Sequence, residues 1–277
     1  MKIVSETKAH GGRQGVYTTS SQACGCDMTF AVFTPPQAKE QLCPVVWYLS
    51  GLTCTHANVM DKGEYRRLAA ELGLIIVCPD VSPRGDHVPD EPDNWQFGKG
   101  AGFYLDATQA PWASHYQTET HILEELPALI AGHFAADMGR QAIMGHSMGG
   151  HGALTFALKN PERFKSCSAF APIVQPSTAD WSRPALAKYL GDDESLWRRH
   201  DATLLIADGA RFDAFLIDQG TADGFLDAGL RPWLLEQACS DAGIALTLRM
   251  QEGYDHSYNF ISTFMEDHLA WHAERLG

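Results

Sequence analysis

Apolar residues in this chain gather into short continuous runs, separated by stretches with helical spacing. The runs at 45–49, 74–77 and 142–144 contain almost no polar residue, which predicts central strands covered on both faces. Residues 28–33 alternate in polarity and predict an earlier, partly exposed strand stopped by Pro35 and Pro36. Residues 167–170, 215–217 and 245–250 extend the series. Helices are predicted over 64–72, 119–134, 149–158, 225–241 and 257–275. Pro127 and Pro232 fall inside the second and fourth of these, where a missing N–H kinks or divides a helix. This alternation assigns the chain to the α/β class, with a mostly parallel central sheet and helices on both faces. Between about 79 and 113 runs a stretch rich in Gly, Pro and Asp, and a loop of that length in a compact domain is usually functional. No repeat, low-complexity tract or linker divides the sequence, so residues 1–277 are read as one domain.

The strand-like run at 142–144 leads into Gly145-His146-Ser147-Met148-Gly149. This G-x-S-x-G pattern between a strand and a helix start is that of a nucleophile elbow, which lifts a serine hydroxyl clear of the sheet. A side chain at either glycine would collide with neighbouring backbone in so tight a turn. A serine hydroxyl is a weak nucleophile near neutral pH. It needs an imidazole to accept its proton and a carboxylate to hold that imidazole in the right tautomer.

Twelve histidines are present, so position must select among them. His256 lies just after the strand predicted at 245–250 and just before the last helix, the place for the base. His268 and His272 fall within that helix, and His146 and His151 flank Ser147 too closely to reach back to it. Asp223, in the loop after residues 215–217, is the favoured acid. Asp218 is its rival, at the strand end where a carboxylate would brace the loop, and Asp213 precedes the strand on the wrong edge. Donors for an oxyanion are expected from the Met148 N–H, next to the nucleophile, and from the Leu52 N–H in the loop after residues 45–49. No metal or cofactor is needed for this chemistry.

Composition narrows the setting. The formal net charge of −13 over 277 residues repels phosphate backbones and anionic surfaces, which argues against nucleic-acid and membrane partners. The seven cysteines form no framework, and Cys24-Gly25-Cys26 lacks the spacing and second pair of a zinc site, so reduced thiols in the cytoplasm are expected. The N-terminal segment lacks the apolar core of a signal peptide.

The segments at 50–54, 80–85, 100–104, 145–154, 168–172, 218–220 and 253–258, taken together, resemble the S-formylglutathione hydrolases of the esterase D family. The resemblance runs from near Gly11 to the C-terminus. It implies an α/β-hydrolase fold, hydrolysis of S-formylglutathione to formate and glutathione in formaldehyde detoxification, and a homodimer. It further implies Ser147, Asp223 and His256 as the triad and the Leu52 and Met148 N–H groups as the oxyanion hole. Cys54 matches a family cysteine beside the site whose modification tends to block activity, and Trp181 matches a tryptophan near the pocket. The sequence departs from the pattern around Trp181, at Gly224 and at Asn259. The alternative within enzymes is a general short-chain carboxylesterase. Beyond it stand an acyltransferase of related fold and a binding scaffold without catalysis.

Overall fold

The covered apolar runs become neighbouring strands. The computed structural model describes residues 1–277. Its strands are β1 (Lys2–Ala9), β2 (Gly12–Ser21), β3 (Cys26–Thr34), β4 (Cys43–Leu49), β5 (Ile75–Pro79), β6 (Ala136–His146), β7 (Phe164–Phe170), β8 (Ala214–Gly220) and β9 (Ala245–Gln251). They form one sheet in the order β1-β2-β3-β5-β4-β6-β7-β8-β9. From β5 to β9 all pairings are parallel, while β1, β2 and β3 add an antiparallel margin. Every residue of β4 and β5 is buried, as the lack of polar positions there predicts.

Hydropathy gives no clear sign of β1, whose two apolar residues Ile3 and Val4 are followed by a polar run, and Lys2–Lys8 are exposed throughout. That strand is held by its ladder to β2 rather than by burial. The helix predicted over 119–134 is continuous despite Pro127. It comprises Thr118–Thr120, a wider π turn His121–Glu125, and Leu126–His133. Pro127 cannot donate to the Leu123 carbonyl, and Arg163 Nη1 does so instead at 2.6 Å. Pro232 does divide its helix: a π turn Leu226–Leu230 gives way at Arg231, with φ +48°, to the helix Pro232–Ala242. Helices at His56–Lys62, Arg183–Leu190 and Ala202–Ala207 went unforeseen. Each is only about two turns long, too short for a periodic signal.

One hydrophobic cluster of 74 buried residues runs through the molecule. Helices cover the sheet on both faces. The helix Met148–Lys159 buries eleven residues, Met148 to Leu158, so it is apolar all round. The C-terminal helix Tyr258–Leu276 packs with Arg66–Leu72. No helix is long and apolar enough to cross a membrane. Because β4, β6, β8 and β9 run parallel, the loops that follow them emerge along one edge of the sheet, where open α/β sheets place their ligands.

Candidate active site

Ser147 follows β6 directly and caps the helix Met148–Lys159 with φ 57° and ψ −117°. A non-glycine residue seldom adopts this conformation, and structure on all sides must hold it there. Its N–H donates to the Phe170 carbonyl at 2.9 Å, and its own carbonyl accepts from His151 N at 2.9 Å and Ile173 N at 3.2 Å. The flanking glycines meet the reason given for them. A Cβ on Gly145 would lie 2.2 Å from the Gly149 carbonyl oxygen, and one on Gly149 would lie 1.9 Å from that of Leu49.

Ser147 opens onto a cavity of about 200 Å³ whose lining includes Leu52, Cys54, Trp181 and His256. His256 reaches it from the turn after β9. Its Nδ1 lies 2.6 Å from Oδ2 of Asp223, in the loop after β8. Asp223 is buried and held by two further donors, Gln219 Nε2 at 3.1 Å on Oδ2 and Phe225 N at 2.8 Å on Oδ1. With Nδ1–H given to the carboxylate, a neutral imidazole carries its lone pair on Nε2. The rings of His146 and Phe225 flank His256, with centroids at 4.4 and 5.0 Å.

Asp218 takes no part in this arrangement. Its carboxylate accepts from Arg249 Nε and Nη2, both at 2.6 Å, and lies 3.2 Å from His268 Nε2. Burial alone would raise its pKa, but the His268 and Arg249 contacts outweigh burial and lower it. It ties β8 to β9 and to the C-terminal helix, whereas Asp223, held by Gln219 and Phe225, keeps an oxygen directed at His256. Asp213 lies at the opposite edge of the sheet, before β8.

The loop after β4 abuts the elbow: a Cβ on Gly51 would stand 3.1 Å from that of Ser147. Thr53 has φ 65°, and the loop is clasped from the long 79–113 segment. Thr53 N donates to Gly100 O at 2.8 Å, Tyr104 Oη to Ser50 O at 2.7 Å, and Arg84 Nη2 to Cys54 O at 3.0 Å. Leu52 N–H finds no acceptor in the chain, and Met148 heads a helix, where an N–H has no intrahelical partner. Two donors thus remain available beside Ser147. The burial that surrounds the Cys54 thiol raises its pKa. Trp181 is packed against Gly229, where a Cβ would lie 1.9 Å from its Nε1. No group of three or more His, Cys, Asp or Glu side chains is arranged to hold a metal ion.

The family model "Putative esterase" matches residues 21–271. The S-formylglutathione hydrolase of Paracoccus denitrificans is 52% identical over 276 residues, covering all of this chain and 98% of that protein. That of Mus musculus is 48% identical over 279 residues, covering 100% and 99%. A solved S-formylglutathione hydrolase from Agrobacterium tumefaciens superposes with a TM-score of 0.99 at 69% identity, over the full length of both chains. The chain belongs to the S-formylglutathione hydrolase family.

Within this member of the S-formylglutathione hydrolase family, two cavity residues escaped the sequence reading. Trp95 comes from the long loop, and Phe225 stands two residues after Asp223. The only signal for Trp95 was its place in the long loop, and for Phe225 its place at the start of the helix predicted over 225–241, two residues after the candidate acid. Gly224 and Asn259 lie outside the lining. Of the cations near the site, Arg84 is committed to Asp80 by contacts of 2.9 and 3.1 Å, while Lys62 sits 6.0 Å over the Tyr258 ring.

Proposed function

We propose that the protein is a cytoplasmic serine hydrolase that cleaves S-formylglutathione to formate and glutathione through an acyl-enzyme. The observation that carries this reading is the 2.6 Å contact between His256 and Asp223 at the wall of the cavity onto which Ser147 opens. Full-length similarity to S-formylglutathione hydrolases supplies the substrate. Seven unpaired, buried cysteines agree with a reducing compartment.

In the first half-reaction Ser147 Oγ attacks the formyl carbon while His256 Nε2 takes the hydroxyl proton. The oxyanion is stabilised by the Leu52 and Met148 N–H groups, each such donor being worth on the order of 10²–10³ in rate. The C–S bond then breaks and His256 passes its proton to the departing sulfur. Water then attacks the formyl-enzyme with His256 as base, the C–Oγ bond breaks as His256 returns the proton to Ser147 Oγ, and formate leaves. Asp223 fixes the imidazole tautomer and its direction throughout. Cys54 and Trp181 shape the wall and exchange no proton.

The test is hydrolysis of S-formylglutathione by wild type and by Ser147→Ala. Turnover by wild type alone supports the reading, and wild type without activity overturns it. Comparing kcat/KM for S-formylglutathione with that for an aryl acetate separates a thioesterase from a general short-chain carboxylesterase.

A further inference from the structure

Formyl is the smallest acyl group, so it offers the protein almost nothing to grip. Binding energy that steadies the transition state must come from the rest of the substrate. The cavity of about 200 Å³ is smaller than the ~300–1,000 Å³ of ordinary ligand pockets, so a tripeptide thiol has to extend beyond it. Stereochemistry sets the direction. The carbonyl oxygen faces the Leu52 and Met148 N–H groups, and the sulfur must face His256, the group that protonates it on departure.

On the His256 side stand two large aromatic residues that the fold leaves open to solvent. Phe225 is 39% exposed and Trp95 49% exposed. The Phe225 ring meets His256 with centroids 5.0 Å apart and a 66° tilt. The Trp95 ring lies 6.4 Å from that of Phe225. They come from different segments, the long loop and the turn after Asp223, yet converge at the cavity mouth. Leaving such surface wet forgoes burial free energy on folding, and a ligand laid across it recovers that energy.

We infer that Trp95 and Phe225 form the subsite for the thiol leaving group and determine which thioesters and esters are accepted. This rests on the hydrolase reading above. The two side chains are specificity-determining residues: they touch the leaving group and exchange no proton.

The experiment compares Trp95→Ala and Phe225→Ala with wild type on S-formylglutathione and on methyl formate, whose leaving group is too small to reach the aromatic pair. The expected result is that kcat/KM for S-formylglutathione falls about tenfold or more relative to that for methyl formate, the scale of one aromatic anchor. Free glutathione becomes a correspondingly weaker inhibitor of methyl formate hydrolysis. Acyl preference, read as the ratio of 4-nitrophenyl formate to 4-nitrophenyl acetate, stays within about twofold because their leaving group is shared. Equal losses on both formyl substrates, no loss on either, or a changed acyl preference would overturn the subsite. Wild type inert towards S-formylglutathione would instead overturn the hydrolase reading itself, so the two failures are distinguishable. Phe225→Leu, which keeps an apolar contact beside His256, gives a smaller relative loss than Phe225→Ala if the effect is binding at the mouth.

Discussion

Asp223 and His256 are joined by a 2.6 Å hydrogen bond between Oδ2 and Nδ1, although 33 residues separate them in the chain. Asp218, five residues earlier, spends its carboxylate on Arg249 and His268. Asp223→Asn should therefore lower kcat by about 10⁴ with little change in Tm. Asp218→Asn should do the reverse. It costs roughly 2–4 kcal/mol, less than a wholly buried pair because Arg249 is partly solvated, while the folded fraction keeps its activity. Paired kinetics and thermal melts check both, and a swap of the two outcomes would reassign the acid.

Ser147→Ala removes the only hydroxyl at the elbow. Turnover should fall by on the order of 10⁴–10⁶, and covalent labelling by a fluorophosphonate probe should vanish while the melt is preserved. Labelling that persists in this variant would point to a different nucleophile.

Glycine substitutions should separate sharply by position. At Gly149 a Cβ would press to 1.9 Å on the Leu49 carbonyl, whereas at Gly224 nothing lies within 4 Å. Gly149→Ala is expected to lose both stability and activity. Gly224→Ala should stay within about 0.5 kcal/mol of wild type, as surface changes do. Urea unfolding with activity assays on both variants decides the matter.

Acid should weaken the fold well before the carboxylates protonate. Burial lowers the pKa of His151 to about 4 and that of His268, and drives His272 well down. Between the folded value and the unfolded value near 6.5 the unfolded chain binds a proton that the folded chain refuses, so stability drops as pH falls. Each such group contributes up to ~1.4 kcal/mol per pH unit within its window. Urea midpoints measured at pH 8, 7, 6 and 5 should fall below about pH 6.5, and a constant midpoint across that range would refute the assignment of neutral buried histidines.

Much of this site can be read from residue order alone, because it follows strand ends. Ser147 announces itself through the spacing of Gly145 and Gly149, and His256 through its place between the last strand and the last helix. The choice between Asp223 and Asp218 was narrow in the sequence, since both follow the same apolar run. What separates them is the partner each finds, Arg249 and His268 for one and His256 for the other, and those contacts come from distant segments. β1 was invisible because its apolar pair Ile3 and Val4 gives way at once to the polar run Ser5–Lys8, leaving neither an apolar run nor an alternation. Trp95 stayed hidden for a related reason. A long loop carries no periodicity, so nothing local says which of its residues turns toward the cavity.

The close approach of Gly149 to the end of β4 has a wider implication. The proposed nucleophile Ser147 and the proposed oxyanion donor Leu52 belong to backbone segments that press directly on each other, so neither can drift without dragging its counterpart. Substitutions in the side chains around the cavity mouth are therefore expected to alter what the cavity accepts while leaving the spacing between the elbow and the loop after β4 intact.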